Sequence, residues 1–127
     1  MPELGGSLYR RYYGSLKPCI FDIETTGFAN GRNTSRVIMT ALLIPSGENE
    51  ISVTQFLAED PYEEDRVLRA TLDFLNEQKT DFLITYNGTS FDIPFMNRRL
   101  EALHFPFTLK MYNLDLTDLG YDIKVEN

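Results

Sequence analysis

Hydrophobic and polar positions divide the chain into short apolar runs separated by turn-forming residues. Residues 19–26, CIFDIETT, are rich in β-branched and aromatic side chains with few breakers, which predicts a strand. Residues 27–35, GFANGRNTS, collect Gly, Asn and Ser and predict a loop. Residues 36–44, RVIMTALLI, are nearly all apolar and predict a second strand, ended by Pro45-Ser46-Gly47. A third strand follows over 50–58, EISVTQFLA. Turns this short between neighbouring strands predict an antiparallel meander.

The period then changes. Asp60-Pro61-Tyr62-Glu63 combines an acidic N-cap, a proline at the first helical position and a glutamate two residues on, a capping-box arrangement. Val67, Leu68, Thr71, Leu72 and Leu75 recur at helical spacing, so a helix is expected to end near Lys79. DFLITYN, 81–87, predicts a fourth strand, and GTSFD, 88–92, a turn. A second helix is expected from about Ile93 to Leu103, with Met96, Leu100 and Leu103 facing inward. TLKMYNLDL, 108–116, predicts a fifth strand, and the last residues carry no strong pattern. The order is βββαβαβ. A long helix between two strands favours a parallel crossover. The expected class is therefore α/β: a mixed five-stranded sheet with strands 1–3 antiparallel and strands 4 and 5 parallel to strand 1.

At 127 residues the chain suits one domain with one core, and 43% hydrophobic against 24% charged residues is ordinary for a globular protein. The net charge of -7 is the wrong sign for coating nucleic acid through a basic surface. It is compatible with an enzyme that recruits divalent cations, because bound cations reverse the local field. The single cysteine, Cys19, lies in an apolar run and reads as a buried, inert thiol. No apolar stretch is long enough for a membrane span and residues 1–18 lack a signal-peptide core, so a cytoplasmic protein with no membrane partner is expected. The LYRRYYGS segment, with Arg10 and Arg11, reads as a packed arm with snorkelling arginines or as a nucleic-acid contact.

The chemistry is concentrated in FDIETTG, 21–27. Side chains alternate along a strand, so Asp22 and Glu24 share one face while Phe21 and Ile23 share the other. Side-by-side carboxylates repel, and a divalent cation with oxygen ligands removes that cost. A bare D-x-E also occurs on solvent-facing strands. Here the segment is apolar, ends in the Thr25-Thr26-Gly27 turn, and is complemented by a third carboxylate, Asp92, after another apolar strand. If strand 4 runs parallel to strand 1, both carboxyl ends lie on one side of the sheet, where open α/β sheets place their sites. Three converging carboxylates suit two-metal phosphoryl chemistry, with the ions roughly 3.5–4 Å apart. Arg98 and Arg99, inside the second helix, are the best basic candidates for guiding a phosphate backbone, against the alternative of a solvated helix face.

FDIETTGF, 21–28, resembles the first motif of the DEDD 3′–5′ exonucleases of the RNase H-like superfamily, and YNGTSFDIPFMNRR, 86–99, resembles their second. The nearest likeness is to the proofreading domains of family B DNA polymerases and to RNase H-like exonucleases of bacteria and archaea. The resemblance spans roughly residues 19–116 and implies hydrolysis of phosphodiester bonds at the 3′ end of single-stranded DNA or RNA, with two divalent ions, Mg²⁺ or Mn²⁺. It implies that Asp22 bridges both metals, that Glu24 ligates the water-activating metal, and that Asp92 serves the second. It places Thr25, Thr26, Gly27 and Phe28 near the terminal nucleotide, with Asn87 and Phe91 positioning the strand or supporting the site. Phe28 and Phe91 are candidates for base stacking or, equally, for core packing.

The sequence departs from that family at its third motif, Y-x-x-x-D or H-x-x-x-D. No tyrosine here, nor the single histidine, His104, has an aspartate four residues on. Asp115, on the fifth strand, is the candidate substitute ligand or supporting residue, while Asp118 and Asp122 read as solvated. The expectation is a chain completed by a further C-terminal segment or a partner chain. The alternative reading is a catalytically incomplete RNase H-like module that binds metal or nucleic acid. A phosphotransferase or phosphatase is disfavoured, because there is no Gly-rich phosphate loop.

Overall fold

The structure is a computed structural model that describes residues 16–26 and 35–118. The expected elements at residues 1–15, 27–34 and 119–127, including Arg10, Arg11, Gly27, Phe28 and Asp122, lie outside the described residues. Strand β1 is Pro18–Thr25, β2 Val37–Gly47 and β3 Glu50–Leu57. A 3₁₀ turn, Pro61–Glu63, leads into helix α1, Glu64–Glu77. Strand β4 is Phe82–Thr85, helix α2 Asp92–Ala102 and strand β5 Tyr112–Asp115, followed by a 3₁₀ turn, Leu116–Asp118.

The five strands form one sheet in the order β3-β2-β1-β4-β5. The β1–β2 and β2–β3 pairs are antiparallel, and the β1–β4 and β4–β5 pairs are parallel. This is the arrangement expected from the sequence. Cys19, Phe21 and Ile23 of β1 enter the core with Val67, Leu68 and Leu75 of α1 and Met96 and Leu100 of α2. Burial pushes the Cys19 thiol up to about 11, as expected of an inert buried cysteine. Ile20, Asp22 and Glu24 occupy the alternate positions and are exposed. No helix among the described residues is long and apolar enough to cross a membrane.

Of the boundaries that differ from those expected, three have a visible cause. The hairpin reverses at Glu48-Asn49, not at Pro45-Ser46-Gly47: Asn49 takes the left-handed conformation (φ 66), and β2 absorbs its proline through a register shift between Pro45 and Gly47. The first turn of the predicted helix is 3₁₀, with Asp60 Oδ1 accepting from the Tyr62 N–H at 2.8 Å. Glu63 reaches back past the cap to the Glu59 N–H at 2.8 Å. The fifth strand is shorter than predicted because Asn97 engages the chain before it. Its Oδ1 accepts from the Leu109 N–H at 2.6 Å and its Nδ2 donates to the Leu109 carbonyl at 3.1 Å, satisfying both backbone groups.

Candidate active site

Strand β1 lies between an antiparallel and a parallel neighbour, and open α/β sheets place their sites beyond the carboxyl ends of such strands. The parallel register with β4 runs from Pro18–Phe82 to Ile20–Ile84, and the two strands then part. Asp92, the first residue of α2, fills the gap. Its Oδ2 accepts from the Ile23 N–H at 3.1 Å, across 69 residues of sequence. The carboxylate thus takes the place of a strand partner for β1.

That position brings Asp92 against Asp22. Burial pushes the Asp92 carboxyl up to about 6; the Asp22 charge and a hydrogen bond with Asp22 push the same way, while the Ile23 hydrogen bond opposes them. Asp22 itself is exposed on the strand. Glu24 is exposed on the same face two residues on, beside a register shift between Glu24 and Thr25. Bulges of this kind re-aim side chains at strand ends. Of the three carboxylates expected to converge, the structure brings Asp92 against Asp22; among the described residues, no group of three His, Cys, Asp or Glu side chains lies close enough to hold a metal ion. The pair still fits a hard divalent cation, which takes one or two carboxylates and relieves their repulsion.

The other candidates differ in how firmly the fold holds them. Thr26 closes the base of the following loop: its N–H donates to the Arg36 carbonyl at 2.9 Å and its Oγ1 accepts from the Arg36 N–H at 3.0 Å. Thr25 is half-buried at the end of β1. Asn87 is exposed in the left-handed conformation (φ 66) at the turn after β4. Phe91 packs against the core with its ring 5.5 Å from that of Phe95, which favours the packing reading over base stacking. Arg98 is exposed, its guanidinium 5.7 Å from the Phe95 ring centre.

Arg99, expected as a backbone guide, is corrected to a structural role. It is held in a two-pronged ion pair with buried Glu64, Nε to Oε2 at 2.8 Å and Nη2 to Oε1 at 2.7 Å. Asp115, expected as a substitute metal ligand or a supporting residue, has both carboxylate oxygens engaged by the chain itself. Oδ1 accepts from the N–H groups of Asn87 (2.7 Å) and Thr117 (3.0 Å) and from Thr117 Oγ1 (2.7 Å), and Oδ2 from the Thr89 N–H at 3.0 Å. Burial would raise this carboxyl, but hydrogen bonds from Thr117, Thr89 and Asn87 outweigh it and hold the value down at about 2. Asp118 is exposed, as expected.

The sequence reading passed over Glu64 and the hydrogen bonds that pack the turn carrying the second motif. Glu64 had a signal: it lies on the helical stripe of Leu68, Thr71 and Leu75, where a lone charge implies a buried partner. The turn is packed tightly. Thr85 Oγ1 accepts from the Gly88 N–H at 3.1 Å and donates to Asn113 Oδ1 at 2.9 Å, and Asn113 Nδ2 donates to Thr89 Oγ1 at 2.9 Å. A Cβ on Gly88 would meet the Thr85 Cβ at 2.5 Å and Cγ2 at 2.6 Å. Gly88→Ala is therefore expected to destabilise the fold by about 1–3 kcal/mol, as overpacking does, measured by urea unfolding.

A model of the RNase H superfamily matches residues 19–127. A DNA polymerase of Thermococcus hydrothermalis is 30% identical over 100 residues, 75% of this chain and 6% of that protein. A DNA polymerase of Pyrococcus glycovorans is 30% identical over 93 residues, 69% of this chain and 12% of that protein. Among solved structures, the family B DNA polymerase of the hyperthermophilic archaeon Pyrobaculum calidifontis aligns with a TM-score of 0.66 at 26% identity, over 80% of this chain and 15% of that one. The chain therefore spans only a small part of each relative. The family model over residues 19–127, the polymerase relatives and the sheet order agree: this chain belongs to the RNase H superfamily.

Proposed function

We propose that this chain is a 3′–5′ exonuclease-type domain that hydrolyses phosphodiester bonds at single-stranded nucleic-acid ends with the help of divalent metal. The observation that carries the proposal is the pairing of Asp22 with Asp92 at the end of β1, fixed by the Ile23 N–H. The family supports it: the polymerase relatives are of the kind whose proofreading domain is a DEDD exonuclease.

Asp22 and Asp92 would hold the cation, with Glu24 reaching in from the same face. A divalent ion held there supplies charge neutralisation at the scissile phosphate and activation of the attacking water. The chain's own part is positional. β1 presents Asp22 to solvent, and α2 delivers Asp92 to it. The exposed residues Thr26, Asn87 and Arg98 border the approach of the strand. Two ions, the choice of Mg²⁺ or Mn²⁺, and a segment or partner chain contributing the missing third-motif residues complete the proposal.

A second reading is a module of the same fold that binds metal without turnover. It is favoured by the carboxylates gathering as a pair, not a trio, among the described residues. One experiment separates the two: 5′-labelled single-stranded DNA and RNA are incubated with Mn²⁺ and the wild type or Asp22→Asn, alongside calorimetry of Mn²⁺ binding. The expected result is a ladder shortening from the 3′ end, abolished by Asp22→Asn and by a chelator. Mn²⁺ binding without products selects the second reading. Mn²⁺ affinity unchanged by Asp22→Asn sinks the metal site itself.

A further inference from the structure

We propose that Asp115 is a positioning residue: its carboxylate clamps the turn after β4 and through that turn seats Asp92 against β1. This rests on the functional reading above, because seating Asp92 matters for catalysis only if the Asp22–Asp92 pair is the site.

The 3% exposed Asp115 carboxylate accepts the four hydrogen bonds described above, which uses its lone-pair positions. Two of the donors, the N–H groups of Asn87 and Thr89, belong to the turn. The turn is tied in its own right to the start of α2. The Asn87 carbonyl accepts from the Phe91 N–H at 3.0 Å, and the Gly88 carbonyl accepts from the Ile93 N–H at 2.9 Å. Between those two amides sits Asp92, whose Oδ2 accepts from Ile23. A continuous hydrogen-bonded path thus runs from β5 through the turn and the first residues of α2 to β1.

Only a carboxylate serves at this end of the path. All four bonds are donated to Asp115, and both oxygens are engaged. An asparagine would turn its NH₂ toward at least one N–H and leave that donor unpaired.

The path is testable without metal or nucleic acid, because the Ile23 amide reports on Asp92. In Asp115→Asn, hydrogen exchange at Ile23, Asn87 and Thr89 should accelerate at least roughly tenfold, while amides in the β2–β3 hairpin keep their wild-type rates. Mn²⁺ affinity should fall by roughly 10-fold or more, the usual effect of losing a group that orients a ligand. Thr117→Val, which removes one donor and leaves the two turn contacts, should leave Ile23 protected. Acceleration at Asn87 and Thr89 with Ile23 unchanged would overturn the proposal, making Asp115 a local fastener. Uniform acceleration across the sheet would overturn it too, as global destabilisation. If Asp115→Asn does not fold, wild-type exchange against denaturant decides: Ile23 and Thr89 should open with the same free energy and the same denaturant slope, and independent opening overturns the proposal. Failure of the exonuclease reading would appear instead as absent cleavage products, with this coupling intact.

Discussion

Glu64→Ala is expected to lower the unfolding free energy by about 3–5 kcal/mol, the usual result of removing one partner of a buried ion pair. Glu64 is 3% exposed, and its carboxylate holds three donors. Besides the two guanidinium bonds from Arg99, Oε2 accepts from the Val37 N–H at 2.8 Å. One side chain thus joins the start of β2, the first turn of α1 and the last turn of α2. Alanine would leave a largely buried guanidinium without its anion and a buried backbone N–H without its acceptor. In the wild type the hydrogen bond to Glu64, the leading cause, and its charge raise the Arg99 pKa while burial opposes them; alanine removes both supports, but a guanidinium is basic enough to stay protonated in proteins, so the variant buries an unpaired charge. Glu64→Gln should fall between wild type and alanine, because it keeps an acceptor for Val37 but loses the charge. Urea unfolding of Glu64→Ala, Arg99→Ala and the double variant provides the check. The double variant should cost less than the two singles added together. Simple additivity would mean that Arg99 and Glu64 stabilise the fold separately.

The same pair marks the limit of what the sequence reveals. The meander of β1 to β3 was readable because apolar runs and turn residues are local signals, and the parallel return of β4 followed from the length of the helical stretch before it. Asp22 stood out because it shares a strand face with Glu24 in an apolar run that ends in a turn, and Asp92 because it follows a second apolar strand and its turn. The partner of Arg99 was not, because Glu64 lies 35 residues away and only the packing of α1 against α2 joins them. The hydrogen-bond partners of Asp115 were hidden for the same reason: its turn donors lie 26 and 28 residues earlier. Glu24 illustrates a different limit. Strand alternation places it on the face of Asp22, but alternation does not say whether the side chain reaches the Asp92 carboxylate, and the register shift at Glu24–Thr25 is invisible in the sequence.

Asp92→Asn is expected to stabilise the metal-free protein while removing its response to metal. The carboxyl has a folded-state value of about 6 against an ordinary 3.8, so between those pH values the folded state binds more protons than the unfolded state. The contribution of Asp92 is fully present below about pH 4 and is lost as pH rises toward 6. At neutral pH the ionised, buried carboxylate beside Asp22 costs the fold up to about 3 kcal/mol, at about 1.4 kcal/mol for each tenfold change in its acid dissociation constant. Asparagine removes the charge and keeps an oxygen that can accept from the Ile23 N–H. The variant should therefore melt several degrees higher than wild type at pH 7 without metal, with little difference at pH 4. Wild type should recover the deficit when Mn²⁺ binds, since a ligand specific to the folded state stabilises it by mass action. Asp92→Asn should show at most a small rise in melting temperature with Mn²⁺ and should lose cleavage by about 100-fold or more, the scale of losing a group that sets the protonation and charge of a site. Thermal melts of both proteins at pH 4 and pH 7, with and without Mn²⁺, test every part of the stability pattern, and the labelled-strand digestion tests the loss of cleavage. A variant less stable than wild type at pH 7 would mean that the Asp92 carboxylate serves the fold, not the site. The expected pattern would identify the strain between Asp22 and Asp92 as stability given up for the binding of a cation.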